Sequence, residues 1–352
     1  MVESIAPGGR PADRGAPLSA LMPLKITGRH YGDNLARLDL LFSTLAHFAE
    51  PRLVEEVLII VRADEANTIE RHLSSWPELP LRMVIEDEHF PAFKRFTRPW
   101  QVRPWQRQQI IKLNAPAFTN APFVLLLDPD VLAVKPIRYE TLICDGRALM
   151  EPEPRSVQRR WWLDSASLLG VDAGLDRPGM QVTPAILSTA LLTKVHERLE
   201  EVWGQPWMDV LLTSYCEWTE FTLYLLTAEW TGLLARHHLW ANDPAARAHL
   251  HVDAATSVWH ARSATRERVA RLFAADDDPG LFAVVQSNTR FPASEVASVV
   301  AQHIPVRATT PIEVPNASGR SKLWEWLCTA SRLGATQLYR ARRGLRRRRI
   351  AV

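Results

Sequence analysis

The segment Phe123-Val-Leu-Leu-Leu-Asp-Pro-Asp-Val-Leu132 sets the frame for every other element of the chain. Five apolar residues run straight into two carboxylates, Asp128 and Asp130. A short, continuous apolar run suits a strand buried on both faces, the kind found in parallel sheets. Pro129 has no backbone donor, so the ladder is predicted to stop there. Asp128 and Asp130 then sit at the carboxyl end of a core strand, where open α/β sheets bind ligands. Two carboxylates this close repel unless a cation lies between them, and Mg²⁺ or Mn²⁺ favours such hard oxygens and bridges to phosphates. Asp-Pro-Asp is equally good turn chemistry, and the segment alone leaves both readings open.

Working outward, apolar runs alternate with helical patterns. Leu18 to Ile26 reads as a first strand with Lys25 near its end, followed by a polar loop, Gly28 to Asp33, containing Arg29 and His30. Leu35, Leu38, Leu41, Phe42, Leu45 and Phe48 recur at helical spacing, with Asp33 or Asn34 able to cap. Val57 to Arg62 is a second strand, followed by Asp64 and Glu65; Ala66 to Leu73 is a helix, and Leu81 to Asp87 a third strand. Such alternation predicts an α/β fold, a Rossmann-type, mainly parallel central sheet flanked by helices.

Trp105 to Leu113 reads as a helix that places Gln108 and Lys112 one turn apart on one face. Ala148 to Met150 is a short strand, and Trp161 to Leu169 an amphipathic helix. Met180 to Thr183 is predicted as a strand, after which Pro184 opens a helical run to Trp203. Glu217 to Ala228, read as one helix, puts Glu217, Glu220, Phe221 and Tyr224 on one stripe, a pattern odd for a core helix and reasonable for a site wall. Ala255 to His260 is a strand-like run ending in histidine, Asp276 to Gly280 a turn, and Glu295 to Ile304 a helix with Ser294 as its cap.

The 352 residues suffice for one large α/β domain or two smaller ones, and no apolar run reaches the roughly 18 residues of a membrane span. Three scattered cysteines fit a reducing compartment better than a disulfide framework or zinc site. The net charge of +3 hides an asymmetry: residues 317–352 hold ten Lys or Arg and one Glu, a net +9, which leaves 3 − 9 = −6 for the rest. The acidic remainder argues against a nucleic-acid-binding body. The expected organisation is a disordered lead-in over residues 1–17, one domain over 18–310, and a linker with a helical, basic tail over 311–352. Leu323, Trp326 and Leu327 followed by seven arginines between Arg340 and Arg349 fit contact of the 320–349 stretch with an anionic membrane surface.

The Asp128-x-Asp130 motif after a buried strand resembles the DxD of nucleotide-sugar glycosyltransferases with the GT-A fold. The segments Trp105-Gln-Arg-Gln-Gln-Ile-Ile-Lys-Leu113 and Trp218-Thr-Glu-Phe-Thr-Leu-Tyr224 are similar to a largely uncharacterised bacterial family of glycosyltransferase-like proteins. The likeness spans roughly Leu18 to Pro305. It implies a GT-A-like domain, a nucleotide-diphosphate sugar as donor, and Mn²⁺ or Mg²⁺ held by Asp128, Asp130 and His260. It further implies Glu220 as the base that deprotonates an acceptor hydroxyl, with Glu217 as the second choice because the chain has Glu217-x-x-Glu220 rather than an adjacent acid pair. Lys112, with Lys25 or Arg107, would meet the phosphates; Gln108 would bond a sugar or ribose hydroxyl; Lys25, Arg62 and Asp64 would lie near the nucleobase. The acceptor would be an envelope glycan or lipid-linked, and the protein cytoplasmic or peripheral on the inner membrane face. Two alternatives stand beside this: a nucleotidyltransferase, which would want a more Gly-rich loop than Thr27 to Asn34, and a non-catalytic nucleotide- or carbohydrate-binding protein.

Overall fold

A strand from Leu18–Pro23 (β1) opens the fold and is followed by a helix, Asn34–Phe48 (α1), a strand, Val57–Val61 (β2), a helix, Ala66–Leu73 (α2), and a strand, Leu81–Ile85 (β3). A helix, Pro104–Leu113 (α3), leads into Phe123–Leu126 (β4) and the short Val131–Ala133 (β5). Then come Arg159–Leu169 (α4), Ala185–Ser188 (β6), Thr189–Trp203 (α5) and Glu220–Trp230 (α6). His249–His251 (β7), Gly280–Val284 (β8) and Ala293–Val300 (α7) complete the framework. This computed structural model describes residues 17–27, 32–95, 104–180, 182–214, 216–253, 257–274 and 279–307. The lead-in, the Gly28 to Tyr31 part of the polar loop, most of the Asp276 to Gly280 turn and the basic tail lie outside them.

The central sheet has the order β6-β4-β1-β2-β3. β1, β2, β3 and β4 are mutually parallel, and β6 alone runs antiparallel, with Ala185 opposite Leu126 and Ser188 opposite Phe123. The mainly parallel α/β architecture expected from the sequence is therefore the one adopted. Alternation along β4 divides its side chains between two cores: Val124 and Leu126 face the layer of α3, α4, α5 and α6, while Phe123, Leu125 and Leu127 face α1 and α2. Because β1 has β2 on one side and β4 on the other, the chain reverses its direction of travel between β1 and β4. The carboxyl ends of these two strands flank the crevice where such sheets bind ligands. A second sheet, β7-β8-β5, stands beside this crevice, with β8 antiparallel to β5.

Several sequence expectations shift. β1 ends at Pro23, leaving Lys25 beyond it. The strand expected over 180–183 lies after Pro184 instead, because Ala185-Ile-Leu-Ser188 is the fully buried run that pairs with β4; a proline just before a strand takes no ladder bond away. The following helix starts at Thr189, capped by Ser188 accepting the Leu191 N–H. α6 starts at Glu220 and not at Glu217, because Thr219 and Thr222 form a capping box that fixes its first turn. Glu217 and Glu220 consequently do not share a helix stripe, and nearly every residue of α6 is buried, so it is a core helix presenting one acid at its N-terminus. Ser294 does not cap α7, whose N-cap is Pro292. The Asp33 carboxylate, at the α1 N-cap position, accepts instead from the Ala293 N–H at 3.4 Å. Of the 255–260 run, the described residues 257–260 form no strand: Val258 makes a single bridge to Val285.

One buried charge ties the two ends of the described chain together. Arg37, on the inward side of α1, donates to the Val285 carbonyl at 2.8 Å and the Phe291 carbonyl at 2.7 Å. Only 3% of it is exposed. Replacing it leaves two buried acceptors unsatisfied. Arg37→Met should therefore lower the unfolding free energy by about 3 kcal/mol, measured by urea denaturation; a loss below about 1 kcal/mol would show that the loop is held by other contacts.

Candidate active site

Past Leu127, whose N–H still reaches the Leu21 carbonyl, the chain turns: the Val131 N–H bonds the Asp128 carbonyl at 3.2 Å. Asp128-Pro-Asp130 is thus both a turn and the floor of a cavity. That cavity, of about 400 Å³, opens at the carboxyl ends of β1 and β4. Its floor carries Lys112, Asp128, Asp130 and Glu220; Gln108, Trp105, Trp161, Trp259, Phe221 and Thr183 form much of its walls.

Lys112 stands near the C-terminus of α3 and is 2% exposed. Its Nζ lies 3.0 Å from Asp128 Oδ1 and 3.1 Å from Oδ2, donates to Thr183 Oγ1 at 3.1 Å, and approaches Glu220 Oε1 at 3.5 Å. Burial disfavours its charge, but Asp128 and Glu220 outweigh that, and the pKa ends above that of a free lysine. Lys112 is a fixed cation.

Glu220, at the first position of α6, is 1% exposed. Among the described residues neither carboxylate oxygen makes a well-formed hydrogen bond; Lys112 stands as an ion partner at 3.5 Å. Its backbone N–H is held by the Gln109 side chain at 3.3 Å. Burial pushes its pKa up to about 7, with Lys112 pulling down and Asp128 pushing up. A carboxyl group that changes charge near neutrality in a cavity is suited to proton transfer.

Asp130 accepts the Ser287 N–H at 2.8 Å through Oδ2. Burial raises its pKa first, the neighbouring Asp128 raises it further, and Ser287 and Arg37 oppose both. Two carboxylates, one of them held above its ordinary pKa partly by the charge of the other, are a donor set whose repulsion a hard divalent cation would relieve. Among the described residues no cluster of three or more His, Cys, Asp or Glu side chains could hold a metal. An ion bound by Asp128 and Asp130 would complete its shell with phosphate and water, the usual habit of Mg²⁺.

The remaining expected residues divide. Gln108 lines the cavity. His260 does not: it is exposed, and its neighbour Trp259 faces the cavity instead. Glu217 is half-buried away from the floor, with its backbone N–H on Asp164. Arg62 and Asp64 pair with each other at 2.5 Å on the surface. Lys25 is partly buried, and burial followed by repulsion from Arg62 lowers its pKa; none of these three lines the cavity. Arg107 is engaged by Glu86. Arg37, Gln109, Thr183 and Ser287 also serve the site, and two of them carry a weak sequence signal: Gln109 shares a helix face with Trp105, and Arg37 is a charge one turn from Leu41 on an apolar stripe. Ser287 is 157 residues from Asp130, a pairing no local pattern encodes.

Residues 16–308 match the model of a family described as a family of unknown function, DUF6492. No curated protein matches the sequence. Solved structures with some likeness include mouse xyloside xylosyltransferase 1 in its apo form, 13% identical at a TM-score of 0.41, covering 68% of this chain and 88% of that one. Another is the galactosyltransferase LgtC in complex with donor and acceptor sugar analogues, 13% identical at a TM-score of 0.45, covering 83% of this chain and 97% of that one. A third is the apo bifunctional glycosyltransferase WbbM, 8% identical at a TM-score of 0.36, covering 69% of this chain and 41% of that one.

The raised pKa of Glu220 has a signed consequence for stability. The folded state holds its proton up to pH of about 7, whereas the unfolded chain releases it near 4.5. Stability from this group is full below 4.5 and declines as pH rises towards 7, by about 3 kcal/mol. Glu220→Gln removes that slope. The melting temperature of the variant relative to wild type should rise between pH 5 and pH 8 (differential scanning fluorimetry); a constant difference would mean Glu220 is already ionised at pH 5.

Proposed function

The chain belongs to the DUF6492 family, whose function is not known, and we propose that it is a glycosyltransferase acting on a nucleotide-diphosphate sugar. The observation that carries this reading is the floor at the β1–β4 switch point: Asp128 and Asp130 beside a buried lysine, and Glu220 a carboxylate with no well-formed hydrogen bond to a described residue. A diphosphate leaving group gathers negative charge as the glycosidic bond breaks. A divalent ion held by Asp128 and Asp130 would supply the Lewis acid that offsets it. Lys112 adds a positive charge fixed in place before substrate arrives, so no reorganisation accompanies the reaction. Gln108 is placed to bond a hydroxyl of donor or acceptor.

In the transfer step the acceptor oxygen forms a bond to the anomeric carbon, the bond from that carbon to the diphosphate breaks, and the acceptor proton passes to Glu220. Glu220 must be ionised for this, so turnover should rise with pH through about 7. In this reading Glu220 is the base and Asp128 and Asp130 the metal ligands, because Glu217 and His260 do not line the cavity. The metal and the donor class are part of this proposal, as is an envelope glycan or lipid-linked acceptor. No helix among the described residues is long and apolar enough to cross a membrane. We propose the 320–349 stretch as the membrane contact, and liposome flotation of the full chain against one ending at Ala317 tests it: equal flotation would remove the idea.

The decisive assay measures nucleoside-diphosphate release from a panel of nucleotide sugars with and without Mn²⁺. Wild type should release one diphosphate in a Mn²⁺-dependent manner. Asp130→Ala should abolish release while still melting cooperatively, and Glu220→Gln should lose about 10²–10⁴-fold in transfer while retaining nucleotide binding. Full activity in Asp130→Ala would reject the reading.

A further inference from the structure

The walls of the cavity differ in chemistry from its floor. Trp105 and Trp161 stand in the first turns of α3 and α4, and both line it. Their ring centroids are 5.6 Å apart with planes inclined at 37°. Trp259, from the loop before the 3-10 turn at Ala261–Ser263, lines the same cavity. All three are half-buried, unlike Trp162 and Trp218, which are 0% and 1% exposed and serve packing. An indole buries a large apolar area when packed; Trp259 also packs against the apolar core on the α1–α2 side, whereas Trp105 and Trp161 pack on each other along the cavity wall. Gln108 and Gln286, both half-buried, line the cavity beside them, and neither side chain bonds a described residue.

Flat apolar faces bordered by amides complement one ligand class well: a pyranose ring, with a C–H face to lie on an indole and hydroxyls to meet the amides. A hydrocarbon chain would leave the amides without partners. We therefore propose that the Trp105–Trp161 wall, with Gln108, is a carbohydrate-binding subsite and that the acceptor presents a sugar ring, not a bare lipid or protein hydroxyl, to Glu220. The proposal rests on the glycosyltransferase reading for its chemistry, whereas binding of a glycan to this wall can be scored without turnover.

The test uses the full chain, fluorescently labelled, on a printed array of mono- and oligosaccharides in the presence of Mn²⁺ with UDP or GDP. The strongest glycan is then titrated in solution against wild type, Trp105→Leu, Trp161→Leu and the corresponding Phe variants. Leu keeps apolar bulk without a ring face; Phe keeps the face. The Leu variants should weaken glycan binding about tenfold or more, and the Phe variants about threefold or less, at unchanged nucleotide affinity. Asp130→Ala should lose turnover and keep glycan binding, which separates failure of this proposal from failure of the donor assignment. Where a Leu variant does not melt cooperatively, Gln108→Ala replaces it, with the same tenfold loss expected. The proposal is overturned if wild type binds no glycan with either nucleotide, if Leu variants bind as wild type does, or if the loss follows nucleotide affinity, which would make the wall a nucleobase platform.

Discussion

The Lys112 ammonium group joins four separate pieces of chain. It reaches from α3 to Asp128 after β4, to Thr183 before β6, and to Glu220 at the head of α6. A buried ammonium is tolerated only when its donors are satisfied and opposite charge lies close, and here those conditions are met by residues far apart in sequence. Asp128 is drawn toward the cation, and Asp130 is left to the Ser287 N–H and the field of Arg37. Glu220 receives only a long ion contact, so burial dominates its protonation. The division of labour among three acids thus follows from where one lysine points.

This arrangement explains why neighbouring carboxylates differ in character. Asp128 has a close cation and partial solvent; Glu220 has neither a well-formed hydrogen bond from a described residue nor water exposure. Position at a helix N-terminus favours ionised Glu220, but the desolvation cost is larger. A buried acid that changes charge near neutrality, next to carboxylates able to hold an ion, is a common way to place an acid–base group beside an ion site.

Much of the fold was legible because buried parallel strands and amphipathic helices carry strong local patterns. β2 and β4 read as unbroken apolar runs, and α1 as a regular stripe. Asp128 and Asp130 were legible because a proline-bounded strand end is a local event. Lys112 and Gln108 were legible from helical spacing. What failed was decided by tertiary context. Strand β6 was displaced past Pro184 because pairing with β4, not local pattern, selects Ala185–Ser188. Glu217 shares a stripe with Glu220 only in a helix that starts at 217; the Thr219 hydroxyl caps the helix and starts it three residues later. His260 sits beside the residue that does face the cavity, an offset of one that no periodicity resolves outside a regular strand. Ser287 and Thr183 carry no signal of their own; their roles exist only through the partners that folding brings.

The two hydrogen bonds from Arg37 span 248 and 254 residues of sequence. The loop they hold also supplies the Ser287 N–H to Asp130. The carboxylate pair encoded in the middle of the chain is therefore finished by its opening helix and by almost the last of the described residues. During synthesis, β1 to β4 and their helices emerge early and can begin to pack, yet Asp130 acquires its fixed geometry only once residues near 290 have cleared the ribosome and closed back onto α1. In a nascent chain Lys112 can gather Asp128, Thr183 and Glu220 well before Asp130 receives its Ser287 contact, so the crevice is completed in two stages, the second waiting for residues near 290.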